Sequence, residues 1–258
     1  MSDAPSDETE KLSFPLGKVN LTEGEVDKRS QLNRAPRPRI ASTIVLSCGD
    51  PKEPRILMGQ RSKKHDFMPS VYVFPGGRVD RADSYAKYSG DLSARTERIL
   101  EAAYSPRKSR AIVLASIRET WEETRLLLGR EVKDGERNLN HASYDAFREA
   151  RMRPDISGVE VFGRAITPPH RHKRFDAWFF HKHLKTPSLP EIGDSAELLN
   201  VGWFTFDEIK ELELQRATKM MLRVLRDYLK AERPPSTIFL SKAVRGQMEA
   251  QKFPEFEE

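Results

Sequence analysis

The chain has 258 residues, of which 38% are hydrophobic and 32% are charged, so it can bury one sizeable core and is too polar for a membrane protein. No apolar run approaches the roughly 18 residues that a spanning helix needs, and the first residues are acidic, unlike a secretory or transit segment. A single cysteine, Cys48, excludes an internal disulfide framework and a cysteine-based zinc site. These features predict a cytoplasmic protein that does not enter a membrane.

The net charge of +5 indicates the kind of ligand that the folded part binds. Residues 1–27 carry seven acids and two bases, residues 28–39 carry five bases and no acid, and residues 233–258 carry four of each. The net positive charge therefore belongs to residues 40–232. This favours an anionic ligand for the folded part, with nucleic acid as the less favoured partner, and it leaves the oligomeric state open.

Three segments divide the chain. Residues 1–38 alternate polar residues, glycine and proline, and are expected to form a flexible leader without a core of its own. Residues 39–232 are expected to form the folded domain. Residues 233–258 are expected to form a C-terminal tail, because two consecutive prolines end the last helical pattern.

Strands and helices interleave within the predicted domain. Apolar and β-branched runs predict six strands, the first two as a hairpin: 40–48, 55–61, 71–74, 159–166, 174–181 and 198–204. Helical patterns predict four helices: 92–104, 106–128, a helix entered at Asp207-Glu208, and 217–231. The order lacks regular βαβ spacing, which predicts an α/β fold with a mixed sheet and helices on its faces.

Three carboxylates cluster on the second predicted helix. At about 100° per residue, Glu119, Glu122 and Glu123 fall within roughly a 100° arc opposite an apolar stripe, so the acids are expected to face outward. Like charges at these spacings destabilise a helix by about 0.2–0.5 kcal/mol per pair, and a hard cation such as Mg²⁺ or Mn²⁺ compensates them. The alternative is a solvated helix face on which Arg118 pairs with Glu122.

A glycine turn, Phe74-Pro75-Gly76-Gly77, ends one predicted strand, and two residues without Cβ let the main chain pass close to a helix or a metal ion. Together with the later segment Arg118-Glu119-Thr120-Trp121-Glu122-Glu123, this turn resembles the signature box of the Nudix hydrolases, and the resemblance extends over residues 39–230. A long insertion in the box, at about 82–108, resembles the coenzyme A diphosphatase branch. The resemblance implies a Nudix-type α/β/α sandwich with a mixed β-sheet and helices on both faces.

The resemblance also implies a divalent-metal site. Glu119 and Glu123 would be the principal ligands of Mg²⁺ (or Mn²⁺), and Glu122 would be a further ligand or the catalytic base. The Gly77 carbonyl would be an additional oxygen donor. Such a cation neutralises diphosphate charge and lowers the pKa of a water molecule, so little covalent chemistry is required of the protein.

Other candidate residues surround these ligands. The resemblance implies that Arg118 orients a carboxylate, and it makes Glu197, just before a predicted strand, a second candidate for the base. Basic residues outside the acidic helix could receive substrate phosphates, including a 3′-phosphate: Arg61, Arg78, Arg171, Lys173 and Arg174. The alternative for these bases is a solvated, charged surface.

Two positions depart from the family pattern. Gly77 and Arg118 are 41 positions apart, so the first acid of the box is Asp83 when counted forward from Gly77 and becomes Arg110 when counted back from Arg118. Arg125 stands where the box has a glycine, which leaves the turn at the helix end open.

The leading hypothesis is an Mg²⁺-dependent hydrolase that cleaves the diphosphate bond of coenzyme A or an acyl derivative. The alternative substrates, for the same chemistry, are ADP-ribose, a dinucleotide or a capped RNA. A third hypothesis is a non-catalytic module that senses a nucleotide, and the three intact glutamates argue against it.

Overall fold

The described part of the chain forms one large mixed sheet, a small two-stranded sheet and five helices. A computed structural model describes these residues: 19–20, 36–62, 70–133, 141–169, 171, 173–186, 188–231, 233–244 and 247–254. The strands are β1 (Val19–Asn20), β2 (Arg39–Cys48), β3 (Arg55–Arg61), β4 (Tyr72–Val73), β5 (Gly76–Arg78), β6 (Gly129–Glu131), β7 (Met152–Pro154), β8 (Glu160–Ile166), β9 (Phe175–Leu184), β10 (Leu198–Phe204), β11 (Ile238–Val244) and β12 (Gln247–Phe253). The helices are α1 (Ala94–Glu101), α2 (Pro106–Thr124), α3 (Asp145–Glu149), α4 (Phe206–Lys210) and α5 (Arg216–Lys230). None of the described helices combines the length and apolarity that crossing a bilayer requires.

Strand β2 lies in the middle of the large sheet. The strand order is β1-β12-β11-β8-β9-β2-β3-β10, with β4 beside β3 and β5 beside β2. Strand β2 runs parallel to β9 along its whole length, and β8 runs parallel to β11. The predicted hairpin is present only where Ser47 and Cys48 pair with β3, because β5 occupies the same edge of β2 at Ala41–Thr43.

Helices cover both faces of this sheet. Ile44, Leu46 and Cys48 pack with α1 and α2 in one apolar cluster, whereas Val45 packs with α4 and α5 in a second cluster. A nearly continuous apolar strand is typical of a sheet that is buried on both faces. The predicted α/β/α sandwich with a mixed sheet is therefore confirmed.

The residues predicted to form a C-terminal tail are two strands of the large sheet. In β11, Phe239 and Leu240 are buried and lie opposite Gly163 and Arg164 of the parallel strand β8. Strand β12 then folds back on β11, and β1 pairs with β12 at Val19–Asn20. The rest of the predicted leader up to residue 35 lies outside the described residues.

Helix α2 carries the acidic cluster through the core. Pro106 occupies its first turn, where the missing N–H costs no helical hydrogen bond. The helix ends at Thr124, four residues earlier than predicted, because Arg125 adopts the left-handed conformation with a φ of 61°. Glycine is favoured at such a position, which explains why the box pattern has a glycine there.

Candidate functional site

The glycine turn packs directly against the carboxylates of α2. The Gly76 N–H donates a hydrogen bond to Glu123 Oε2 at 2.8 Å. A Cβ on Gly77 would overlap the Glu119 carboxylate, and a Cβ on Gly76 would overlap the main chain of β2. Only glycine fits at both positions, so the turn brings backbone groups into contact with the acids.

Arg118 joins the turn to the acids with all five of its guanidinium N–H groups. Its Nε and Nη2 donate to the two oxygens of Asp83 at 2.9 and 3.2 Å. Its Nη1 donates to Glu119 Oε1 at 2.8 Å and to Glu122 Oε2 at 3.0 Å. The second Nη2 donor reaches the Arg78 carbonyl at 2.9 Å, so Arg78 contributes its main chain here while its side chain is exposed. The guanidinium is saturated and buried.

Asp83 is the acid that completes this network. It lies in a 3₁₀ turn, Ala82–Ser84, is fully buried, and also accepts hydrogen bonds from the Asp80 N–H at 2.7 Å and the Tyr144 hydroxyl at 2.7 Å. Counting forward from the glycine turn therefore finds the acid that binds Arg118. The backward count to Arg110 is wrong, because Arg110 is a base about two turns before Arg118 on α2.

Sequence analysis missed Tyr144. It lies in a segment, 130–157, whose residues are charged and poorly periodic, and no pattern connects it to Asp83. The available signal was a pair of aromatic residues three positions apart, Tyr144 and Phe147, in an otherwise polar stretch. Both are buried, and their rings contact each other at a centroid distance of 6.1 Å.

Burial determines the electrostatics of the glutamates. It raises the pKa of Glu119 to about 7, against the opposing charge of Arg118, and raises the pKa of Glu123 to about 8, against the Gly76 hydrogen bond. The expectation that all three acids face outward is wrong, since only the Glu122 side chain, 41% exposed, lies at the surface. The residues that pack on the other two acids are Gly76 and Gly77, which have no side chains, so no sequence pattern shows that they cover the helix.

Arg61 and Glu197 lie beside Glu123. Arg61 ends β3 and pairs with Leu198 of β10, so Glu197 is its neighbour across the sheet, and the Glu197 carbonyl accepts a hydrogen bond from Ser62 N–H at 2.9 Å. Burial lowers the pKa of the Arg61 guanidinium, and the charges of Glu123 and Glu197 oppose this shift. Two residues singled out from the sequence thus meet a predicted metal ligand.

The remaining basic candidates lie on the loop between β8 and β9. Arg174 donates to the carbonyls of Thr167 at 3.1 Å and Pro36 at 2.7 Å, so its described hydrogen bonds close this loop. Arg171 is partly buried and Lys173 is exposed. The two histidines that flank Arg171 lie outside the described residues. The loop leads into the end of the sheet where β5 pairs with β2.

The donor set suits a hard divalent cation. One oxygen each of Glu119, Glu122 and Glu123 is used by Arg118 or Gly76 in the described hydrogen bonds, and carboxylate oxygens are ligands that Mg²⁺ and Mn²⁺ prefer. As the side chains stand, no three His, Cys, Asp or Glu residues in the described ranges are arranged to hold a metal ion.

Comparison with known proteins bears on the fold. No protein-family model matches the chain. A NUDIX hydrolase from Alicyclobacillus acidocaldarius is 24% identical, with a TM-score of 0.56 over 76% of this chain and 94% of that chain. The NUDIX domain of Shewanella oneidensis NrtR, solved with ADP ribose, is 13% identical (TM-score 0.45, 81% and 100% covered), and a C. elegans Ap4A hydrolase is 15% identical (TM-score 0.41, 74% and 97% covered). The first similarity shows that the chain has the Nudix fold.

Proposed function

We propose that the protein is a Nudix phosphohydrolase, which uses Mg²⁺ or Mn²⁺ to hydrolyse a diphosphate bond between a nucleoside moiety and another group. The observation that carries this proposal is the buried network in which Arg118 binds Asp83, Glu119 and Glu122 beside the glycine turn. The two guanidinium groups nearby, those of Arg118 and Arg61, cannot neutralise these three carboxylates and Glu123 together. A buried excess of negative charge is unfavourable unless protons or a cation neutralise it.

Four groups are proposed to hold the cation: the carboxylates of Glu119, Glu122 and Glu123 and the carbonyl of Gly77. When bound, the cation supplies charge neutralisation for the diphosphate and polarises the attacking water. Arg118 and the Gly76 N–H fix the carboxylates through charge-assisted hydrogen bonds, which are stronger and shorter than neutral ones. These bonds use one oxygen of each glutamate and leave the other oxygen for the cation.

For the proton acceptor we favour Glu197 over Glu122. Glu122 already shares Arg118 with Glu119 and is assigned to the cation. Glu197 is exposed at the start of β10, and its charge acts on both Glu123 and Arg61. A general base needs access to the attacking water, and an exposed carboxylate at the edge of the acidic cluster has that access.

The proposed substrate is coenzyme A or an acyl derivative. Such molecules carry a diphosphate and a separate 3′-phosphate, and Arg61, Arg171 and Lys173 are the bases proposed to receive them. The net positive charge of residues 40–232 favours an anionic ligand of this kind. A cytoplasmic location, where these cofactors are available, is part of the same proposal.

A substrate screen tests the proposal. The purified chain is incubated with coenzyme A, an acyl-coenzyme A, ADP-ribose, NADH, diadenosine tetraphosphate and capped RNA, with excess Mg²⁺ or with a chelator, and products are identified by mass. The expected result is Mg²⁺-dependent release of 3′,5′-ADP from coenzyme A. Glu119→Gln should abolish it, whereas the matched exposed-site control Lys52→Gln should not.

The outcomes separate chemistry from substrate choice. Cleavage of ADP-ribose or a dinucleotide in preference to coenzyme A would change the proposed substrate and leave the proposed metal-dependent chemistry unaffected. Absence of cleavage for every compound, or cleavage that neither the chelator nor Glu119→Gln reduces, would overturn the enzymatic proposal and favour a nucleotide-sensing module.

A further inference from the structure

The exposed face of α5 carries a row of basic residues. Its opposite side is apolar, with Met221, Leu222, Val224 and Leu225 packed in the second core cluster. The exposed bases repeat at intervals of three and four residues, and we call them the basic row: Arg216, Lys219, Arg223, Arg226 and Lys230. At about 100° and 1.5 Å per residue, they lie within roughly an 80° arc and extend over roughly 21 Å.

No ion pair among the described residues neutralises the basic row. None of the five bases forms one, and Asp227, the only acid of α5, forms none either. Arg226 lies near Asp207, whose carboxylate is hydrogen bonded to Lys210 at 2.6 Å. Like charges at these spacings destabilise a helix, and Arg216 in the first turn opposes the helix dipole. An anionic partner would remove both penalties.

We propose that the basic row binds the phosphate backbone of duplex nucleic acid without reading its sequence. A duplex carries one negative charge per about 1.7 Å of its axis, so a straight cationic row of roughly 21 Å reaches several phosphates. Lysine and arginine contacts to phosphate position a protein on the duplex and carry no sequence information. Release of condensed counterions supplies the affinity.

The composition of this face separates a duplex from other anionic partners. Single strands are bound with aromatic side chains on which bases stack, and membrane-surface helices insert apolar side chains among the lipid headgroups. The apolar side chains of α5 are buried or partly buried in the second core cluster, and so is Phe206, whose ring lies 5.4 Å from the Arg226 guanidinium. The exposed face of α5 therefore offers neither a stacking platform nor an apolar wedge. The large exposed hydrophobic residues of the described ranges lie elsewhere: Tyr85, Leu189 and Leu199.

The basic row is also separate from the candidate active site. Helices α5 and α2 pack on opposite faces of the sheet, since they belong to different core clusters. A duplex on α5 therefore leaves the glycine turn and the acids of α2 accessible. This interaction stands independently of the proposed hydrolysis.

Fluorescence anisotropy with a labelled duplex of about 24 base pairs, titrated at several KCl concentrations, tests the proposal. The unmodified protein is compared with a triple variant that removes three charges from the basic row: Lys219→Gln, Arg223→Gln and Lys230→Gln. A matched control removes three exposed charges from other surfaces: Lys52→Gln, Lys87→Gln and Lys133→Gln. Both variants lower the net charge by the same amount.

The row variant is expected to bind at least about tenfold more weakly, and its plot of log affinity against log salt should be shallower by about 2 to 3, because each phosphate contact contributes about 0.9 to that slope. The control should lose less than about threefold. Equal losses in both variants would show that only bulk charge matters and would overturn the proposal. So would tighter binding to a single strand, or to vesicles of phosphatidylserine and phosphatidylcholine.

Thermal melting checks that the variants fold. If the triple variant melts below the unmodified protein, Arg216→Gln with Lys230→Gln, at the two ends of the row, gives the same comparison with a slope change of about 2. Hydrolysis of the substrate found in the screen should be unchanged in every row variant. No duplex binding by the unmodified protein at low salt would overturn the inference, whatever the hydrolysis assay shows.

Discussion

Arg118 donates five hydrogen bonds from one planar group, and no other side chain can reproduce them. Lysine keeps the positive charge but has only three N–H donors, and they do not form a planar array. Arg118→Lys is therefore expected to lower kcat/KM by at least about 100-fold, since Asp83, Glu119 and Glu122 lose their common partner. Steady-state kinetics give the measurement, with Arg110→Lys on the same helix as the control. A kcat/KM above about a tenth of normal in Arg118→Lys would contradict the role given to the planar guanidinium.

The pKa values of Glu119 and Glu123, about 7 and about 8, predict how stability depends on pH and cation. Both lie above the usual carboxyl value, so between about pH 4.5 and 8 the folded state holds more protons than the unfolded chain, and stability without cation falls as pH rises. A cation binds the ionised form, so its stabilising effect should grow over the same range.

The measurement is the rise in melting temperature on adding excess Mg²⁺ in place of a chelator, taken from about pH 7 to about pH 8.5. Burial holds the pKa of His181 at about 4, so that residue is neutral in the folded state throughout this window. We expect a larger rise at the higher pH, and a nearly constant, small rise in Glu123→Gln. A rise that does not change with pH would place the cation away from these two acids.

Arg61 is a basic candidate whose charge acts on Glu123. If it reads the 3′-phosphate of coenzyme A, Arg61→Gln should raise KM for coenzyme A by about 10- to 100-fold, the loss of one charge-assisted contact of roughly 1.5–3 kcal/mol. The activity on 3′-dephospho-coenzyme A should then stay unchanged. Lys173→Gln is the rival variant in the same assay. If Arg61→Gln lowered kcat/KM equally for coenzyme A and for its 3′-dephospho form, Arg61 would support the acidic cluster and would not read the 3′-phosphate.

The limits of sequence analysis at this scale have physical causes. Helical periodicity located Glu119, Glu122 and Glu123 on one face, but it carries no information on depth. Two of these acids lie against Gly76 and Gly77, which have no side chains that a pattern could show. Counting alone could not choose between Asp83 and Arg110, because the chain between Gly77 and Arg118 is longer than the family pattern. Tyr144 reaches Asp83 across 61 positions, a contact that only the tertiary fold determines.

At the scale of elements, the predicted bounds are accurate where turn residues flank a run on both sides. Strands β3 and β10 have the predicted limits, since turn residues bound both apolar runs. Strands β11 and β12 were missed because β11 gains its stability by adding to β8, more than 70 positions earlier. Two strands that pair over so many positions leave no signal in the local sequence, and the prolines before β11 indicated a tail.

Arg125 provides a test of how α2 ends. Its left-handed backbone strains any residue with a Cβ, so Arg125→Gly is expected to raise stability by about 1 kcal/mol, or about 2–4 °C in melting temperature for a chain of this size. Arg125→Ala, which loses the guanidinium over Trp121 and keeps the Cβ, should be neutral or slightly destabilising. A gain in the alanine variant equal to that in the glycine variant would rule out backbone strain as the cause.

On the scale of the whole molecule, the last described strands are part of the sheet that supports the site. Leu240 is buried in β11 beside β8, so Leu240→Ala is expected to destabilise the protein by about 2–5 kcal/mol, measured by denaturant unfolding. Lys252→Ala on the neighbouring strand β12 is exposed and should cost less than about 0.5 kcal/mol. Similar, small effects in both variants would mean that this part of the chain contributes no core.

The hydrogen bond from Arg107 Nε to the Ser84 carbonyl, at 3.1 Å, closes the base of an excursion that runs from the 3₁₀ turn of Asp83 to the start of α2. Residues 85–106 form this excursion, and its helix α1 buries Ile99 and Leu100 in the core cluster that also holds α2. The excursion therefore lengthens the chain between Asp83 and Arg118 without separating their side chains. A pattern with a fixed number of residues between glycine turn and helix cannot describe such a site. A three-dimensional superposition can, because it compares positions in space and not the length of chain between them.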